Sequence, residues 1–168
     1  MPLSMYQVSV PVFLRGLVVL SNLLDKGLAH AGQTEVDPAS FVAARLAPDM
    51  LPLSGQVQRA GDTAKFAAER LTGTPSPRFP DEETTFDELQ ARIRATSEFL
   101  ESLSAAQFEG SEDREVSFGA ANSRLSLTGE RYLLSHALPN FFFHVATAHD
   151  ILRHLGVPIG KRDYLGAF

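Results

Sequence analysis

Four stretches of this chain repeat apolar side chains at the helical period, and that repeat constrains the fold more than any other feature. In the first, Phe13, Leu17, Leu20, Leu24 and Ala31 recur at intervals of three, four and seven. Pro11 sits near the start, where its missing N–H costs nothing. Val18, Val19 and Leu23 widen the stripe, so this helix must be covered on two sides. The second stretch predicts a helix over Leu53–Leu71 with a seam of Val57, Ala60, Ala64, Ala67 and Leu71. Alanine lets a neighbouring helix approach closely, and Gly73 is placed to stop the turn. The third opens on a capping box, Thr85 with Glu88, and continues through Phe86, Leu89, Ile93, Thr96, Leu100 and Leu103. The last runs over Tyr132–Leu155, with Phe141, His144, Ala148, Ile151 and Leu155 as its seam, Pro139 dividing it, and Gly156 and Pro158 closing it.

The connections have signatures of their own. Between Gly32 and Pro52, Asp37 followed by Pro38 starts a short helix whose Phe41, Val42 and Leu46 can dock on the bundle. Thr74–Glu83 holds Pro75, Pro77 and Pro80 and reads as loop. Glu115–Phe118 and Arg124–Leu127 alternate polar and apolar residues around Gly119, Asn122 and Ser123, the pattern of a small β-hairpin. The expected architecture is all-α: one four-helix-bundle domain over residues 1–168, with a β-hairpin before the last helix.

Composition narrows the function. The chain has no cysteine, which removes thiolate chemistry, Cys-type zinc sites and disulfides, and suits a cytoplasmic protein. The net charge is −5 and the 15 Lys and Arg are scattered, so no concentrated cationic surface exists for nucleic acid. Val8–Leu24 is mostly apolar and Ala29-His30-Ala31 resembles a cleavage site, but the first positive side chain is Arg15, inside the apolar run. Arg15, Ser21 and Asn22 also make it a poor membrane span, leaving a first bundle helix and no membrane partner.

Among five histidines, His144 stands out because it occupies a seam position between aliphatic and aromatic neighbours. Asn140 lies one turn earlier on the same side. Burying an imidazole and an amide is unfavourable unless both find partners. Three readings stay open: a core histidine satisfied by Asn140 and the second helix, a pocket or metal ligand, or a solvent-exposed ring. His149 is about 140° round the helix from His144, too far to share an ion with it by spacing alone. His154, near the helix end, is expected to pair with Asp150, and His30 to be a surface residue. On the second helix Gln56 falls nearest the seam. Gln58 and Asp62 complete the candidate set, although Asp62, about 160° from Ala64, is expected on a solvated face with Arg59 or Lys65. Phosphate loop, nucleophile elbow, HExxH and Glu-x-x-His motifs are absent. Phe141-Phe142-Phe143 cannot all face one seam, so part of that run should meet the hairpin or a partner subunit.

Several segments carry a family likeness: Leu3-Ser4-Met5-Tyr6, Val10-Pro11-Val12-Phe13, Ala47-Pro48-Asp49-Met50, Gln56-Val57-Gln58 and Phe108-Glu109-Gly110. Leu138-Pro139-Asn140-Phe141-Phe142-Phe143-His144, Leu152-Arg153-His154 and Gly160-Lys161-Arg162-Asp163 extend it. Over essentially its whole length the chain resembles a bacterial family of unassigned activity within the DinB/YfiT-like superfamily. The resemblance implies a four-helix bundle holding a divalent metal, zinc or nickel, with a histidine on the second helix and an H-x-x-x-H pair on the fourth. Some relatives are thiol-dependent transferases or isomerases. Here the pair aligns with Asn140 and His144, and the second helix has no histidine, so the implied metal site is degenerate with His144 as its remaining ligand. Two functions follow: small-molecule binding around His144, Asn140, Gln56, Gln58 and Asp62, or a metal-free homodimeric binding or assembly module.

Overall fold

A computed structural model of the protein describes residues 3–119, 122 and 124–166. Its long helices are α1 (Val10–Gln33), α3 (Leu53–Thr72), α4 (Phe86–Glu101) and α6 (Leu138–His154), with the short α2 (Pro38–Ala43), α5 (Gly129–Tyr132) and α7 (Lys161–Leu165) between and after them. The strands β1 (Glu115–Phe118) and β2 (Leu125–Thr128) pair antiparallel before α5. Helix α3 packs on α4 and α6, and α1 packs on the same two, so α1 and α3 stand at opposite corners of a four-helix bundle. Among the described residues no helix is long and apolar enough to cross a membrane.

The predicted seams form the core. Phe13, Leu17, Leu20 and Leu24 of α1 are buried against Leu89, Ile93 and Leu100 of α4 and Phe141, Ala148 and Ile151 of α6. The alanines of α3 are fully covered, as expected of a helix approached closely by α6. On α1 the same economy is reached by glycine: a Cβ at Gly16 would fall 2.3 Å from the Phe141 ring. The capping box forms, the Thr85 N–H donating to Glu88 at 2.9 Å and the Glu88 N–H to Thr85 Oγ1 at 3.2 Å.

Four details depart from expectation. Leu103 lies beyond the end of α4 yet is buried, carried back by the following turn. The second strand begins at Leu125, one residue later than expected; Ser123 of the intervening turn lies outside the described residues. The helix expected from Tyr132 is interrupted by a π-turn over Leu133–Ala137, after which α6 starts with Pro139 in its first turn. Proline has no N–H for the ladder and its ring crowds the carbonyl one turn back, so widening the turn just before it relieves both. Finally the tail forms α7, tied to α1 by the Lys26–Asp163 ion pair.

Candidate functional site

The site rests on facing turns of α3 and α6. His144 is half-buried, and its Nδ1 lies 2.8 Å from Gln56 Oε1. Gln56 Nε2 donates to the Leu51 carbonyl at 2.9 Å, which fixes the amide so that Oε1 faces the imidazole. An amide oxygen only accepts, so Nδ1 carries the proton and Nε2 presents a lone pair. That Nε2 makes no hydrogen bond among the described residues and is not sealed from solvent. Burial, with a smaller contribution from the Arg59 guanidinium, lowers the His144 pKa from 6.5 to about 4. At neutral pH the ring is an uncharged acceptor.

The sign of the pH dependence follows. From pH 6.5 down to about 4 the unfolded chain takes up a proton that the native ring refuses. The His144 contribution to stability is therefore complete above pH 6.5, falls through that window and levels off below it. An NMR titration of the imidazole signals should give a midpoint near 4; a midpoint near 6.5 would mean that the ring is solvated.

Asn140 does not bond His144. Its Nδ2 donates to Thr63 Oγ1 at 2.7 Å, and that hydroxyl donates in turn to the Arg59 carbonyl at 2.7 Å. Asn140 Oδ1 has no partner among the described residues and is not sealed, so it is a second open acceptor one turn from the imidazole. The adjoining Phe143 ring meets the imidazole edge-on at 5.3 Å and is 56% exposed.

Gln58 and Asp62 are engaged elsewhere. Gln58 donates to Glu83 at 2.8 Å. The expectation of a solvated Asp62 needs correction: its side chain is only 13% exposed and pairs with Arg92 at 2.8 Å, Lys65 at 3.0 Å and Arg59 at 3.1 Å. The proline loop causes the difference by folding back over that face. Pro77 and Pro80 offer carbonyls to Lys65 and Arg92, Asp81 and Glu83 add carboxylates, and both cations lie over the Phe79 ring, at 4.4 and 5.2 Å. Burial by itself would lower the Arg92 pKa, but Glu83, Asp62 and Asp81 hold it above its usual value. Arg92 was legible in principle: it shares the α4 seam with Leu89, Ile93 and Thr96, an ionisable group where apolar ones belong. Thr63, polar and off the seam, gave no such signal.

Other histidines also differ from expectation. His149, not His154, pairs with Asp150, at 2.9 Å. His30 is half-buried, with its ring 6.2 Å from that of Phe41.

The comparisons agree with this architecture. A family described as a domain of unknown function (DUF1993) matches residues 5–165. The chain belongs to the DUF1993 family. The crystal structure of a DinB family member from Shewanella denitrificans is 40% identical, with a TM-score of 0.92, covering 98% of this chain and 93% of that one. No match is found among curated proteins.

The metal implied by a DinB-like bundle does not fit this DUF1993 chain. Its open donors are one imidazole nitrogen and one amide oxygen, and neutral amide oxygens are poor ligands for zinc or nickel. Among the candidate residues the one carboxylate, Asp62, is shared among three cations, and Arg59 sets positive charge beside the imidazole. Among the described residues no cluster of three or more His, Cys, Asp or Glu is arranged to hold an ion.

Proposed function

We propose that this DinB-like protein binds a small neutral molecule around His144, in a site that has lost the metal-binding donors of its superfamily. One observation carries the reading: an uncharged imidazole with its Nδ1 proton committed to Gln56 and its Nε2 open. A group fixed in one tautomer at neutral pH is a preset hydrogen-bond acceptor. Asn140 Oδ1 adds a second, and Phe143 an exposed aromatic face. Two acceptors call for a donor ligand, and the charge of Arg59 disfavours a cationic one. A hydroxyl-bearing neutral molecule meets both conditions.

NMR titration with cis-1,2-cyclohexanediol, together with metal analysis of protein purified without an affinity tag, tests this. The diol should move the His144 and Asn140 signals saturably, and His144→Ala should abolish the effect. Metal content should be well below one ion per chain in both proteins. Stoichiometric zinc or nickel that disappears in His144→Ala would overturn the metal-free site, and unmoved signals would overturn the ligand.

The second reading is a non-catalytic homodimeric module. It is favoured by Phe143 and by Leu51, 46% exposed, as apolar surface for a partner to cover. Sedimentation equilibrium separates the two, because only this reading requires a dimer that Phe143→Asp dissociates.

A further inference from the structure

On the opposite side of α6 from the α3 face, α1, α6 and α7 line a half-open cavity of about 310 Å³. Its walls include Val12 and Val19 of α1, Phe142 and Val145 of α6, and Tyr164 and Leu165 of α7. Arg15, also on the wall, donates to the Leu165 carbonyl and so helps hold α7 in place. The volume falls within the range of small-ligand cavities, about 300–1,000 Å³, and the pattern of apolar walls with a few polar groups is theirs as well. The large cavity lined by Leu3, Met5, Phe108, Glu112 and Glu130 is by contrast bordered by carboxylates.

Unspent hydrogen-bonding capacity gathers at the α7 side. The Tyr164 hydroxyl makes no hydrogen bond among the described residues and is open. Next to Tyr164, with ring centroids 6.1 Å apart, His149 has a buried Nε2 without a hydrogen-bond partner among the described residues. Burial, then the Asp150 carboxylate, keeps the tyrosine pKa above its usual value, so the hydroxyl stays protonated and can donate.

We propose that the cavity between α1, α6 and α7 is a second binding site, for an uncharged molecule with a compact hydrocarbon body and one hydroxyl or carbonyl group bonded to Tyr164. The hydrocarbon body matches the valine and phenylalanine walls, and the polar group satisfies a hydroxyl that bonds none of the described residues. Neither His144 nor Asn140 lines this cavity, so the proposal stands independently of the α3–α6 site.

Methyl-detected NMR titration of the intact chain with p-cresol, toluene and 4-methylbenzoate provides the test. p-Cresol and toluene should move the methyl signals of Val12, Val19, Val145 and Leu165 saturably and compete with each other. Tyr164→Phe should weaken p-cresol by about 2–10-fold, the worth of one hydrogen bond, and leave toluene unchanged. Val12→Phe, at a half-buried position, should fill the space and remove both while the protein stays folded by circular dichroism. Unmoved methyls at the solubility limit of p-cresol would overturn the site. Binding of 4-methylbenzoate at least as tight as that of p-cresol would overturn the neutral ligand class. Equal weakening of p-cresol and toluene in Tyr164→Phe would overturn the role of the hydroxyl.

Discussion

Asp62→Ala should destabilise the protein by about 3 kcal/mol or more, the cost of leaving buried cations without their counter-charge. Lys65 and Arg92 side chains are each 2% exposed, and Asp62 is the only carboxylate that Lys65 contacts among the described residues. Arg92 keeps Asp81 and Glu83, so the unpaired charge falls chiefly on Lys65, whose remaining partners are the Pro77 carbonyl and the Phe66 and Phe79 rings. Urea unfolding measures the loss. Limited proteolysis should show new cleavage in the proline loop, because the cluster ties that loop to α3 and α4. Replacing the pair together, with Asp62→Leu and Lys65→Met, should recover most of the loss, since Arg92 keeps Asp81 and Glu83 and a packed apolar pair often equals a buried ion pair. A single Asp62→Ala effect below 0.5 kcal/mol would show that water reaches the cluster freely.

Phe141→Ala should cost about 3–5 kcal/mol, whereas Phe143→Ala should fall within about 0.5 kcal/mol of the parent. Phe141 is fully buried, its ring 5.1 Å from Phe13 and 5.2 Å from Phe142, and it lies against Gly16 where no side chain can follow into the gap. Such a site cannot collapse easily, which puts the cost toward the upper part of the range. Phe143 packs one edge on His144 and faces solvent. Thermal unfolding of the two variants compares them directly. Similar losses in both would place Phe143 in a buried contact, such as a subunit interface.

That pair of side chains marks the boundary between what the amino-acid order encodes directly and what folding adds. Three successive phenylalanines must point in different directions on a helix, so their division between core and surface is legible from periodicity. So are the four long helices, the Thr85 cap and the hairpin, because caps, breakers and 3.6- or 2-residue repeats act within a few positions of the chain. The π-turn is less so: Pro139 signals a break, but whether it kinks, ends or widens the helix depends on what packs around it.

The candidate site divides along the same line. The sequence by itself determined that His144 and Asn140 share one side of the last helix and that Gln56 is the second-helix residue closest to its seam. Only the tertiary structure decided that the imidazole bonds Gln56, that Asn140 bonds Thr63, and that Asp62 is enclosed. A helical wheel knows the bundle axis but not the path of a loop. Pro75 to Glu83 doubles back to give α3 a second covered face, turning an apparently solvated carboxylate into the centre of a buried charge cluster. Long-range closure of that kind is set by packing of segments distant in the chain, and no local repeat records it.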